Sequence, residues 1–483
     1  MQHVTCPGCG AQVDFRSPAS VMAVCEYCKT TVLKDADSVK DLRKMSEVLE
    51  DYSPIQIGTT GVFDGRGFAV VGRIQLRYPD GFWNEWYILF DDAQAGWLAD
   101  ASGQFTLTFE KPELAAPGDF AQLRPGVNLN LGGEVYCASD VRTARCTAGQ
   151  GELPFRVGPG WQAQVADFRS GARFLTLDYS DAGSPKAYVG RAVGLGELKA
   201  QLLRDSGDIG DTVGRFRGKV GRLACPSCGG EVSYSPGMTS HFICPSCHAE
   251  VDVSSSTAVV LSAARTLAAA PFTLTLGKTA TIDGAPYTLL GALRRAETGQ
   301  SASSWSEYLL YAPGRSFIWL IETEEGWQRA EVLNSWPTWP EPERVVLDGR
   351  TFRRFATYTA QVTYALGSFN WRVAVGETAQ VAEFQDRQET LAAEATAEEL
   401  TWSRSRPLAV DQVRAWFGEE IHEEQHQHPS YLRSARWIVI ALVLINAIPL
   451  VLATRSVLLY LIVATVAIYL PAFILDKMGG NSP

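Results

Sequence analysis

The residues best equipped for chemistry are eight of the ten cysteines, which fall into four Cys-x-x-Cys pairs: Cys6 with Cys9, Cys25 with Cys28, Cys225 with Cys228 and Cys244 with Cys247. Fifteen residues separate the two pairs of each set, a spacing at which two tight knuckles gather four thiolates into a tetrahedron around zinc. Four thiolates fill the coordination shell and leave no position for water, so the expectation is two structural Zn2+ sites rather than catalytic ones. An iron centre of similar geometry and a redox dithiol are the competing chemistries. His241 and His248 flank the second set alone and read as surface residues. Cys137 and Cys146 stand outside both sets and read as idle, buried thiols.

Two further clusters could carry chemistry. Trp83, Glu85 and Trp86 recur later in the chain as Trp305, Glu307 and Tyr308. Alternating aromatics on a strand fill a core with the acid facing water, or else they line a ligand groove or partner surface, where the rings supply area and the carboxylate a charge. His422-Glu423-Glu424-Gln425-His426 matches the HExxH pattern of zinc peptidases, in which two histidines bind metal and the glutamate activates water. Against that role, Glu424 and Gln425 occupy positions usually apolar in such a helix, and Pro429 ends any helix soon after. A solvated acidic segment holding His422, His426 and His428 is the plainer reading. No Ser-His-Asp set, phosphate loop or dinucleotide fingerprint is evident.

The elements that must position these residues are duplicated. An offset of 219 residues carries the first cysteine set onto the second, Asp64-Gly65 onto Asp283-Gly284, and Gly72 onto Gly291. The offset becomes 222 at the Trp/Glu cluster, and 216 where Ala163-Gln-Val-Ala-Asp-Phe168 meets Ala379-Gln-Val-Ala-Glu-Phe384. Each copy reads as a zinc ribbon, a helical connector (Val39 to Tyr52, Thr257 to Ala270), a β-domain and a closing helix (Leu195 to Leu203, Leu408 to Phe417). The Asp-Gly pairs mark hairpins. Phe68 to Arg77, Trp86 to Phe90, Phe174 to Tyr179 and Leu309 to Tyr311 read as strands. Trp336-Pro-Thr-Trp339-Pro belongs to the second copy alone and reads as an exposed contact loop.

Trp437 to Ala453 and Val457 to Leu475 are uncharged apolar runs, which predict a two-helix transmembrane hairpin. Arg433, Arg436 and Lys477 on one side, against Arg455 on the other, place the soluble domains and both termini in the cytoplasm, at the inner membrane. The N-terminus does not read as a secretory signal, which agrees with thiols kept reduced. Lys+Arg total 43 against 53 Asp+Glu, a formal charge of −10, and neither ribbon is basic, so nucleic acid is a disfavoured partner. Abundant Gly, Pro and aromatic residues favour sheet over helix.

The block GxxGxxDGxxFxVxGRIQLRYPDGFWNEWYILFDD at residues 58–92, with Gly96-Trp97-Leu98 downstream, resembles the bacterial family of domain of unknown function 4178 (DUF4178). The second copy keeps DGxxYxxLG and WSEYLLY, with Ala292 at the place of Arg73 and Ile318 at that of Gly96. The resemblance carries over no catalytic residue. Relatives often bear ribbons or membrane segments, which implies a place at the envelope.

The fold expected is therefore mainly β: two tandem zinc-ribbon plus β-sheet or barrel-like domains with short helices, followed by the transmembrane hairpin. The domains are ribbon 1 (1–36), β-domain 1 (37–205), a Gly-rich linker (206–221), ribbon 2 (222–254), β-domain 2 (255–420), a juxtamembrane segment (421–436) and the two membrane helices (437–453, 457–475). The function expected is a membrane-anchored scaffold or adaptor that recruits a protein, lipid head group or small ligand through its β-domains. Its partners would be the bilayer and a protein at the envelope. The alternative is an enzyme acting on a small or lipid-linked substrate at the Trp/Glu cleft, or a zinc peptidase using His422, Glu423 and His426.

Overall fold

The computed structural model describes residues 2–33, 53–205, 223–262, 272–418, 431–446 and 454–479, with short interruptions inside some of these ranges. The chain forms two separate units, 1–420 and 421–483.

In the first unit the first ribbon supplies β1 (Gln2–Thr5), β2 (Gln12–Phe15), β3 (Met22–Val24) and β4 (Thr31–Leu33). Then come β5 (Thr60–Phe63), β6 (Arg66–Tyr78), β7 (Gly81–Phe90), β8 (Ala95–Ala101), β9 (Gln104–Glu110) and β10 (Asn128–Leu131). The first copy ends with β11 (Glu134–Leu153), β12 (Trp161–Ser170), β13 (Arg173–Asp178) and β14 (Lys186–Val193). Asp64 and Gly65 both take positive φ, 50° and 78°, in the predicted hairpin between β5 and β6.

Eight of these strands close on themselves. They run β11-β12-β13-β14-β9-β8-β7-β6, all antiparallel, and β6 pairs back onto β11. A barrel of this size has an interior that side chains just fill, or that holds one small ligand.

The second copy repeats the arrangement. Its ribbon gives β15 (Leu223–Ala224), β16 (Glu231–Val232), β17 (His241–Ile243) and β18 (Glu250–Asp252). Next are β19 (Val259–Ser262), β20 (Thr279–Ile282), β21 (Ala285–Glu297), β22 (Ser304–Tyr311), β23 (Ile318–Thr323) and β24 (Gly326–Val332). The last six are β25 (Thr338–Glu341), β26 (Arg344–Leu347), β27 (Arg350–Phe369), β28 (Thr378–Asp386), β29 (Glu389–Ala395) and β30 (Leu400–Leu408). The order β27-β28-β29-β30-β24-β23-β22-β21 closes through β21 pairing with β27.

Each ribbon is an extension of its barrel's sheet. Met22, Ala23 and Val24 of β3 pair with Leu153, Glu152 and Gly151 at the end of β11, and β17 pairs with Gly367–Phe369 of β27 in the same way. The buried Glu152 carboxylate accepts from the backbone N–H of Arg16 and Ser17 at 2.8 and 2.9 Å, and from Ser20 Oγ at 3.0 Å. In the second copy Arg372 Nε donates to Glu250 Oε1 at 2.5 Å.

Several expectations need correction. Leu195 to Leu203 is not a helix but a run of turns, with Lys199 and Leu202 at φ 47° and 55°, conformations no α-helix accommodates. Its chain instead bonds the edge of β5 through Val62 N–H to Leu198 O at 2.7 Å. Within Thr257 to Ala270, the β-branched start pairs with β18 as strand β19. The closing helix of the second copy does form, at Val410–Phe417, burying Val413 and Phe417 and ending on Gly418 at φ 64°. In the Trp336–Trp339 loop Trp339 is exposed, but Trp336 is buried, and the Trp336 backbone N–H bonds Gly171 O of the first barrel at 2.9 Å. Val39 to Tyr52 and the linker 206–221 lie outside the described residues.

The transmembrane hairpin is also corrected. The second unit contains helices Tyr431–Ile445 and Thr454–Gly479, which pack on one another. Among the described residues, no helix is long and apolar enough to cross a membrane. The first helix has 15 residues and rises only about 22 Å, against an apolar layer of about 30 Å. In the second, the described side chains run only from 457 to 471. The expected inner-membrane location, with both termini cytoplasmic, loses its support with the spans.

A glycine pair marks the closure of each barrel: Gly72 faces Gly151, and Gly291 faces Gly367. A Cβ on Gly72 would lie 1.8 Å from Glu152 O, and one on Gly291 would lie 2.7 Å from Ser368 O. Gly72→Ala is therefore expected to cost on the order of 2 kcal/mol or more through overpacking, and Gly291→Ala somewhat less. Thermal unfolding followed by circular dichroism checks both, and an unchanged midpoint in Gly72→Ala would contradict this closure.

Candidate metal centres and barrel interior

Each ribbon brings its four cysteines together. In each set the sulfur atoms lie within 4.8 Å of one another, and every cysteine is free of disulfides. The sulfur separations are 3.4 Å for Cys6–Cys28, 3.6 Å for Cys9–Cys25, 3.7 Å for Cys225–Cys247 and 3.8 Å for Cys228–Cys244. A tetrahedron with metal–sulfur bonds of about 2.3 Å has edges of about 3.8 Å, so both sets fit a four-thiolate ion. The backbone builds matching knuckles. Gly10 N–H bonds Cys6 O at 2.9 Å, and Gly229 N–H bonds Cys225 O at 2.7 Å, with both glycines at positive φ. Gly230 N–H points at Cys228 Sγ from 3.4 Å, a contact that favours thiolate. His248 takes φ 57° in the last knuckle and packs against Tyr364, and His241 is buried in β17.

Strand alternation divides the Trp/Glu cluster. Trp83 and Glu85 face the lumen of the first barrel, and Trp305 and Glu307 that of the second. Contacts across the ring establish this. Glu85 on β7 feels Asp167 on β12 and Asp178 on β13, neither of which neighbours β7 in the sheet. In the second barrel Arg295 of β21 reaches Glu394 of β29 at 2.8 Å, again across the interior. Trp86 and Tyr308 point the other way. Trp86 is buried outside the barrel among Phe68, Val70, Ile88 and Leu98, with the Arg73 guanidinium 4.6 Å from its ring. Tyr308 donates from its hydroxyl to Glu322 at 2.6 Å.

Inside, the indole N–H of Trp83 donates to Glu85 Oε1 at 3.1 Å, and that of Trp305 donates to Glu307 Oε1 at 2.6 Å. Tyr87 and Trp97 pack at 5.1 Å between ring centres, and the contact of Trp97 with Phe155 recurs as Trp319 with Trp371. Along β8 the inward Ala95, Trp97 and Ala99 are more accessible than the buried outward Gly96, Leu98 and Asp100, so the lumen is not tightly filled. A cavity of about 540 Å³ opens at the rim beside Tyr78, Ala144 and Trp161, with Arg77 and Arg145 also lining it.

Further acids escape a reading confined to the Trp/Glu cluster: Asp167 and Asp178 in the first barrel stand at the places of Glu383 and Glu394 in the second, and Asp140, opposite Asp167 and paired with Arg142, belongs to the first alone. Thr176 Oγ1 donates to Asp167 at 2.6 Å, and the Tyr358 hydroxyl donates to Glu383 at 2.8 Å. The repeat itself held the signal, since it sets Asp167 against Glu383. Cys146 sits buried among the lumen residues, and burial pushes its thiol up to about 12, as it pushes Cys137 to about 11. Both are therefore poor nucleophiles. The HExxH residues His422, Glu423 and His426 lie outside the described residues.

Burial penalises the charged form of Glu85 and lifts its carboxyl to about 7; the Trp83 N–H opposes the rise, and Asp167 and Asp178 add to it. The unfolded value is near 4.3. Between those values the folded state holds the proton more tightly, so this group's stabilisation is complete at low pH and is lost as pH rises toward about 7. Glu85→Gln is expected to remove that loss, on the order of 2–3 kcal/mol, and to flatten stability between pH 5 and about 7 relative to the parent chain. Urea unfolding across that range checks it, and parallel profiles would refute the assignment.

The pattern of the domain of unknown function DUF4178 matches residues 56–194 and again 275–409, the two barrels with little else. No curated protein matches the chain, and no solved structure matches it. With more than half of its length covered by two matches, each enclosing one closed barrel, the chain belongs to the DUF4178 family.

Proposed function

We propose that this protein is a non-catalytic binding protein, in which two structural zinc ions order twin barrels whose lumens take a small ligand. The observation that carries the reading is the repeated Trp–Glu pair facing each lumen. Trp83–Glu85 and Trp305–Glu307 share the same hydrogen bond in two copies whose loops have diverged. A ring beside a carboxylate in a partly open barrel supplies contact area and one directional charge, the usual makings of a ligand site.

Zinc acts at a distance from that site. Four thiolates leave it no open coordination position, so its role is to hold the ribbon. The ribbon in turn carries β3 onto the end of β11, the strand that closes the first barrel.

The purified full chain is expected to contain about two zinc ions by elemental mass spectrometry, falling to about one in Cys25→Ser. Chelation should lower the unfolding temperature, and native mass spectrometry should show a small molecule retained by the folded chain. A metal-free chain that stays fully folded, or a Glu85→Gln, Glu307→Gln double variant that retains the same small molecule undiminished, would overturn the reading.

A further inference from the structure

The seams that close the two barrels are unequal in length. Both start in the same register at the glycine pair, from Gly72–Gly151 to Gln75–Ala148 in the first barrel and from Gly291–Gly367 to Arg294–Tyr364 in the second. There the first seam stops. The second continues through Arg295–Val362, Ala296–Gln361 and Glu297–Ala360, and Thr298 N–H adds a bond to Thr359 O at 2.9 Å.

The residues at the matching places account for the difference. Continued in the second barrel's register, the first seam would set Arg77 opposite Arg145, where the second sets Ala296 opposite Gln361. Like charges directly opposed on paired strands repel. The strands part instead, and the cavity of about 540 Å³ lies where they separate. Arg77 and Tyr78 of β6, Thr143, Ala144 and Arg145 of β11, and Trp161 at the start of β12 line it.

The cavity is cationic and aromatic. Among the described residues no acid lines it. Asp140, Glu399 and Asp80, the acids whose charge reaches Tyr78, already face Arg142 or Arg372. Arg77 is held in place: its Nη2 donates to Gln75 Oε1 at 3.0 Å, and Gln75 Nε2 donates to Asn84 Oδ1 at 3.3 Å. Arg145 is exposed, and the half-buried Trp161 ring stands at 86° to that of Phe155. In the second copy Glu297 and Glu377 occupy the places of Tyr78 and Trp161, so its seam is neither open nor cationic.

We propose that the open seam of the first barrel binds a phosphate monoester of a small aromatic molecule, with the phosphate between Arg77 and Arg145 and the ring against Trp161. One guanidinium fork already satisfies both oxygens of a carboxylate. A phosphate monoester instead offers three free oxygens and a charge of about −1.5 to −2 at pH 7, which suits two guanidiniums from different strands. The bound anion offsets the repulsion across the seam, and Trp161 with Tyr78 supplies contact area. This site is separate from the Trp–Glu pairs of the lumens and opposite to them in charge, so it stands or falls independently of them.

Calorimetric titration of the zinc-loaded full chain with phenyl phosphate, at low ionic strength, tests it. One site per chain is expected, with inorganic phosphate and benzoate each binding at least tenfold more weakly. Arg77→Ala and Arg145→Gln each install the residue that the second barrel carries at that place, and each should weaken binding more than tenfold. Circular dichroism and zinc content confirm that both variants are folded. Absence of phenyl phosphate binding, or binding undiminished in Arg145→Gln, would overturn the proposal. Benzoate binding as tightly as phenyl phosphate would refute the phosphate assignment, and inorganic phosphate binding as tightly would refute the part given to the ring.

Discussion

Everything in the first unit depends on the antiparallel pairing that fastens each ribbon to the strand closing its barrel. Only three residues of β3 meet β11, and three of β17 meet β27, so neither pairing is strong by backbone bonds alone. Two further constraints secure it. The cysteine knuckles hold the ribbon strands in place, and the Gly72–Gly151 and Gly291–Gly367 pairs let two strands approach where side chains would collide. In the first copy the Glu152 carboxylate accepts from three donors of the ribbon, which tie it to the barrel wall.

Duplication gave this scaffold two interiors, and their divergence says more than either alone. Cross-strand neighbours in a barrel are set by register, so a residue change at one position can be read against its twin without any outside reference. By that standard the outer faces vary freely in detail: Trp86 stacks under Arg73, whereas Tyr308 uses its hydroxyl on Glu322. The lumens instead each keep one Trp–Glu bond and acids at three matched positions, while the buried arginine has moved, Arg142 standing at the place of Tyr358 and Arg295 at that of Leu76. The copies also touch. Arg372 N–H bonds Asp80 O at 2.6 Å, and Val141 N–H bonds Glu398 O at 2.9 Å, so the barrels do not behave as beads on a free string.

Much of the site was legible and part was misread, for physical reasons. The cysteine spacing announced both knuckle sets because metal geometry is local. The Asp-Gly hairpins were legible because positive φ is a local demand. Trp86 lies on the face opposite Trp83 and Glu85 because successive residues of a strand alternate, and only closure of the sheet tells inside from outside. The expected helix at Leu195 to Leu203 failed because hydrogen bonds to β5 outweigh a weak helical pattern. The membrane hairpin was read from unbroken apolar composition, whereas the helix at Tyr431–Ile445 is shorter than a bilayer crossing requires.

By itself the amino-acid order determined the duplication, the two four-cysteine sets, the β-rich class and the turns, since each follows from contacts or dihedrals a few residues wide. Tertiary structure alone decided that the sheets close, that the ribbons join them edge to edge, and that Glu85, Asp167 and Asp178 share one interior. Those three lie on strands that are not neighbours in the sheet, and residues so far apart in the chain meet only when the ring of hydrogen bonds is complete.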